Sequence, residues 1–91
     1  MKELLEYIYS DPYVNKELLL QFYIGKQIIR AKVQTWDISF SEDEEEIEID
    51  NGTVFFELSL KGYVCLNNNK EESCVLYNKE ENSFLYFSFL Y

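Results

Sequence analysis

Glu46-Ile47-Glu48-Ile49-Asp50-Asn51-Gly52-Thr53-Val54-Phe55-Phe56-Glu57-Leu58-Ser59-Leu60 is the stretch that decides how this chain folds. From Glu46 to Asp50, acids alternate strictly with isoleucines. That is the period of a strand with one face in a core and the other in water. Asn51-Gly52 then separates this run from a second apolar one. Asn-Gly between alternating runs is the strongest short hairpin signal, and it predicts positive φ at both central residues. Two antiparallel strands are expected, with Ile47 and Ile49 turned inward.

Toward the N-terminus, Leu18 to Ile24 and Gln27 to Phe40 flank Gly25-Lys26, a two-residue connection that fits a type II′ turn. Ile29, Ala31 and Val33 alternate with Arg30, Lys32 and Gln34. Trp36, Ile38 and Phe40 alternate in the opposite phase, which predicts a bulge near Gln34 or Thr35. Lys2 to Tyr9 reads as a short helix with Leu4, Leu5 and Ile8 on one face. Asp11-Pro12 ends it, or opens a second short helix with Asp11 as N-cap.

Toward the C-terminus, Lys61-Gly62 is a tight turn into Tyr63-Val64-Cys65-Leu66, and Asn67 to Ser73 is a loop. Cys74 to Tyr77 is a short strand and Asn78 to Asn82 another loop. Ser83 to Tyr91 is apolar on both faces. Such a strand belongs in the middle of a sheet, under the helix, or at a subunit contact. The expected fold is α+β, a short N-terminal helix followed by an antiparallel β-meander of six to seven strands, all in one domain over residues 1–91.

Composition agrees with a folded domain. The hydrophobic fraction is 47% and the aromatic fraction 18%, too high for a disordered acidic tail. Phe55, Phe56, Phe84, Phe87 and Phe89 read as core, whereas Tyr63, Tyr77, Tyr86 and Tyr91 read as half exposed. No run has signal-peptide or bilayer-spanning length, so a cytoplasmic protein without a membrane partner is expected. Cys65 and Cys74 are too few for a disulfide framework or a thiolate metal site. They are read as reduced thiols, with a bridge across a hairpin left open.

The charge is local. Asp37, Glu42, Asp43, Glu44, Glu45, Glu46, Glu48, Asp50 and Glu57 fall in one stretch with no basic residue, while the other seventy residues carry eight acids and eight bases. The net charge of -9 therefore belongs to this block, and a localised field of one sign acts on basic partners. Histidine is absent, which removes the commonest general base and metal ligand. No phosphate loop, nucleophile elbow or zinc spacing appears. Catalysis is not expected, and no cofactor or metal is. Direct nucleic-acid binding is disfavoured, because stacking platforms need cations beside the rings and Arg30 and Lys32 are the only strand pair.

Three uses compete for the block. A solvated edge that blocks sheet addition would need one or two charges rather than nine. Calcium ligation by Asp43, Asp50, Asn51 and Gly52 lacks the loop spacing such sites require. The third is imitation of a polyanion. Glu44, Glu46, Glu48 and Asp50 share one strand face at about 6.8 Å spacing, on the order of the separation of neighbouring phosphates along a nucleic-acid strand. Glu42, Asp43 and Glu45 add charge from the adjoining loop, and Asp37 and Glu57 flank the row.

A short acidic chain with a helix, an antiparallel sheet and a ladder such as Glu44-Glu46-Glu48-Asp50 resembles the phage-encoded inhibitors of host defence. These include anti-CRISPR proteins and uracil-DNA glycosylase inhibitors. The Lys-, Glu-, Asn- and Tyr-rich make-up suits a low-GC Gram-positive host or its phage. The resemblance implies a basic nucleic-acid-binding protein as partner, a Cas effector or another DNA- or RNA-handling enzyme, met in the host cytoplasm. The rival expectations are an assembly module whose C-terminal strand, Ser83 to Tyr91, pairs with a copy of itself in a homodimer or with another partner, and an immunity protein neutralising a basic toxin.

Overall fold

The computed structural model describes residues 2–9, 17–69 and 73–90. The alternatives for Asp11-Pro12, part of the Asn67 to Ser73 loop, and Tyr91 lie outside them. The fold is α+β, with one α-helix and eight antiparallel strands in two sheets among the described residues. The helix α1 spans Lys2–Ile8. The strands are β1 Glu17–Ile24, β2 Gln27–Gln34, β3 Ile38–Phe40, β4 Glu46–Asp50, β5 Phe55–Ser59, β6 Val64–Asn68, β7 Cys74–Asn78 and β8 Ser83–Leu90.

β8 is the middle strand of a five-stranded sheet ordered β2-β1-β8-β7-β6, and β3-β4-β5 form a second sheet. Of the three places open to a doubly apolar strand, the fold uses the sheet centre. Its Leu85 and Phe87 are fully buried and Phe89 nearly so, while Phe84, Tyr86, Ser88 and Leu90 lie half-buried on the other face.

The chain changes sheet twice, at the two places where the sequence suggests a bulge and a tight turn. The phase shift after Val33 is a 3-10 turn, Thr35–Asp37, rather than a bulge. Gln34 N–H donates to Asp37 Oδ2 at 2.8 Å, which stabilises the turn. The turn carries the backbone from β2 to β3, so Ile38 enters the core while Trp36 is 61% exposed. The second change follows β5. Tyr63 N–H donates to the Leu60 carbonyl at 3.0 Å, closing the Lys61-Gly62 turn. That turn delivers β6 to the large sheet rather than back alongside β5.

Gly25 has φ of 61° and Lys26 is not left-handed, as a type II′ turn requires. Ile24 pairs with Gln27 across it. Asn51-Gly52 behaves differently from a two-residue hairpin. Asp50 pairs with Phe55, so the connection is four residues long, and of its first two only Gly52 has positive φ, 89°. The reason is the Asn51 side chain. Its Oδ1 accepts from Thr53 N–H at 3.0 Å and Val54 N–H at 2.7 Å, and its Nδ2 donates to the Lys32 carbonyl at 3.4 Å. An Asx turn satisfies two backbone donors that a tighter loop would not bring together.

Both sheets and α1 share one core. Phe22 of β1 meets Phe56 of β5 edge-on at 5.6 Å and Phe87 of β8 at 5.3 Å. α1 lies against β6 and β7 and buries Leu4, Tyr7 and Ile8, an i, i+3, i+4 stripe in which Tyr7 takes the inward place expected of Leu5. Tyr7 stacks on Phe89 at 4.9 Å, and its hydroxyl accepts from Phe89 N–H at 3.2 Å. Phe55 is not core. Phe56 and Leu58 take the inward parity opposite Ile49 and Ile47, which leaves Phe55 58% exposed.

Cys65 and Cys74 are free thiols, the first half-buried and the second buried. Burial pushes the Cys74 thiol well above its ordinary 9.0, with Cys65 beside it adding to the effect. A raised folded-state value means this contribution to stability is present below about pH 9 and lost as pH rises above it. Iodoacetamide at pH 8 is expected to modify Cys65 well before Cys74, with Cys74 reacting only under denaturant; mass spectrometry of the labelled peptides reads this directly. Asn51→Ala should lower stability by about 1–2 kcal/mol, through two turn donors left without their acceptor, as measured by urea unfolding.

Candidate acidic face

β4 is built to aim carboxylates outward. Ile47 and Ile49 are 1% and 0% exposed, and they anchor the strand between β3 and β5. The alternation then turns Glu46, Glu48 and Asp50 to the opposite, solvent side. Glu57 of β5 is exposed directly opposite Glu48, and Ser39 of β3 faces Glu48 from the other side. Four of the nine acids, Glu46, Glu48, Asp50 and Glu57, therefore share the outer face of the small sheet. Like charges directly opposite one another destabilise a sheet. No cation relieves them, since the one ion pair among the described residues is Lys2 with Glu6 at 3.9 Å.

The other five acids do different work or sit elsewhere. Asp37 is in the 3-10 turn, where its carboxylate accepts from Gln34 N–H, so it does not flank the row from a strand. Glu44 does not belong to the ladder either. It precedes β4 in the loop over residues 41–45, with φ of 60°, so strand parity does not apply to it. Asp43 organises that loop. Its Oδ1 accepts from Ser41 Oγ at 2.6 Å and from Glu45 N–H at 3.1 Å. Ser41 Oγ in turn accepts from Glu46 N–H at 3.1 Å. The Ser41 hydrogen bond, then that of the Glu45 amide, hold the Asp43 carboxyl below its ordinary value of 3.8. The loop contacts are therefore complete above that value and are lost as pH falls below it. Glu42 and Glu45 are exposed in the same loop.

Asp50 is held from within as well, its Oδ1 accepting from Gly52 N–H at 2.9 Å. Beside it Phe55 adds an exposed ring at one end of the face. Register with β4 decides that Phe55 rather than Phe56 is outside, since Phe56 pairs with the buried Ile49. Ser39, Ser41, Glu46, Glu48 and Glu57 border a shallow depression of about 170 Å³. Ligand pockets generally hold about 300 Å³ or more. The face is therefore shaped for a broad surface rather than for an enclosed small molecule.

Among the described residues no cluster of three or more His, Cys, Asp or Glu side chains is placed to hold a metal ion. No described helix is long and apolar enough to cross a membrane. Searches found no match to a protein-family model, a curated protein or a solved structure.

Glu57→Lys should place opposite charges across β4 and β5 and raise stability by roughly 0.2–1 kcal/mol. A urea midpoint that moves down would contradict the unrelieved repulsion between Glu48 and Glu57.

Proposed function

We propose that this chain is a small acidic inhibitor, encoded by a phage or another mobile element and acting in the host cytoplasm. It binds a basic nucleic-acid-binding surface of a host defence protein or another DNA- or RNA-handling protein, of the kind met by anti-CRISPR proteins. The observation that carries this reading is the outward row Glu46, Glu48 and Asp50 with Glu57 beside Glu48, anchored from below by Ile47 and Ile49 and unpaired with any cation among the described residues.

Carboxylates two residues apart on a strand stand about 6.8 Å from one another. A groove lined with Lys and Arg to hold phosphates meets negative charge at a comparable pitch there. The row is fixed by a sheet, so little ordering entropy is lost when it docks. Its field steers encounter with a cationic partner, and that steering weakens as salt screens it. Retaining a mutually repelling set of acids supports use of the face over mere solubility.

The test uses Cas effectors and basic nucleases from candidate low-GC Gram-positive hosts, with DNA binding read by mobility shift. The wild-type chain should compete with DNA, and its affinity should fall at least about tenfold between low and moderate salt, as electrostatically steered complexes do. The triple variant Glu46→Lys, Glu48→Lys, Glu57→Lys should fold and fail to compete. Undiminished competition by that variant, or affinity indifferent to salt, rejects the reading.

A further inference from the structure

The outer face of the five-stranded sheet lies on the other side of the molecule from the acidic face. It carries three of the six large hydrophobic side chains that stand exposed among the described residues: Ile28 at 56%, Val64 at 55% and Leu66 at 57%. These are not scattered. Strand register places Ile28 beside Tyr23, Tyr23 beside Phe84, Phe84 beside Tyr77 and Tyr77 beside Val64. One row of five apolar and aromatic side chains thus crosses all five strands. Within it Tyr77 stacks on Phe84 at 4.5 Å, and Tyr23 meets Tyr86 of the adjacent row edge-on at 5.6 Å.

The row reads nearly the same in both directions: Ile, Tyr, Phe, Tyr, Val. Its centre is Phe84 on β8, and β8 is the middle strand of the sheet. A two-fold axis running along β8 therefore lays Ile28 on Val64 of a second copy, Tyr23 on Tyr77, and Phe84 on Phe84. Isologous contact requires this kind of self-complementarity. The next row runs Arg30, Gln21, Tyr86, Val75, Asn67. The same axis sets Arg30 over Asn67 of the second copy. It also keeps the two Arg30 residues about 19 Å apart, four strand spacings and beyond the roughly 8 Å screening length at physiological salt.

We propose that this face is the interface of a symmetric homodimer, sheet against sheet, with the two acidic faces turned outward on opposite sides. The dimer does not depend on what the acidic face binds. It also differs from strand exchange at an edge, since β8 is hydrogen-bonded on both sides by β1 and β7. A single-stranded nucleic acid is the weaker occupant. Tracking a phosphate chain takes a line of cations beside the rings, and here Arg30 and Lys32 sit on the edge strand alone. The face measures roughly 500 Å² a side from strand spacing and length, below the roughly 800 Å² per partner of a standard stable interface. Association in the micromolar range is expected.

Sedimentation velocity from about 1 to 500 µM tests this, a range chosen to span that expected association. The mass should rise from 10.9 kDa toward twice that value. Ile28→Lys and Val64→Glu, both at exposed positions, should each weaken the dimer at least tenfold while keeping the melting temperature. Combined in one chain, they should restore association to within a few-fold, because the axis brings each new charge against its opposite. A monomer throughout the range overturns the proposal, as does a dimer indifferent to both single changes. A double variant no better than the singles overturns the axis on which it rests. Binding of labelled oligothymidylate to a monomer, lost in Arg30→Ala, would assign the face to nucleic acid instead and overturn it equally.

Discussion

β8 holds the molecule together. It is the last of the eight strands in the sequence, yet it lies at the centre of the large sheet, between β1 and β7. Leu85, Phe87 and Phe89 supply core from its inner face, and the Phe89 amide donates to Tyr7 of the helix. Within the large sheet the first hairpin is joined to β6 and β7 only through it, so the pairing that closes the sheet joins residues more than sixty positions apart. Contacts of such separation are slow to form, because loop-closure entropy must be overcome before they are made. A strand buried on one face and half-covered on the other accepts apolar side chains at every position, which is why β8 shows no alternation.

The small sheet exists because the chain leaves the large one after β2 and returns after β5. Each departure has a local cause: the Asp37 carboxylate on the Gln34 amide in one case, the Leu60 to Tyr63 turn in the other. Between them, β4 is gripped from both sides and pinned by two fully buried isoleucines. Burial of each contributes about 1.5–3 kcal/mol. That anchoring holds Glu46, Glu48 and Glu57 side by side against a repulsion that a flexible segment would relax by moving apart. The acidic face is thus a product of packing beneath it.

The two outer surfaces have opposite chemistry. One is a charged row over isoleucines, the other a row of rings over leucines and phenylalanines. The inner residues of both sheets are apolar apart from the buried Asn78 and Ser83, so whatever the alternate positions carry is displayed. An acidic row repels its own copy, whereas the aromatic row offers apolar area to it. Two surfaces of one small domain can therefore serve a foreign partner and a second copy without competing.

Much of this was legible from residue order. The alternation Glu46 to Asp50 announced both the strand and its acidic side, Gly25-Lys26 announced a hairpin, and the absence of alternation in Ser83 to Leu90 announced a covered strand. Those are local signals, carried by side-chain period and by φ preference at single residues. Other features were decided only by tertiary structure. Phe55 and Phe56 are equivalent until register with Ile49 chooses between them. Glu44 continues the acidic pattern by residue type, but the Ser41–Asp43 hydrogen bonds end the strand short of it. Trp36 looks like core until the 3-10 turn swings it outward, and the row from Ile28 to Val64 joins five segments scattered over the chain. Sequence by itself determined which side of an alternating strand such as β4 is apolar, because period depends on neighbours alone. Which strands lie side by side, and so which exposed residues become one surface, was settled by long-range pairing, for which no local preference speaks.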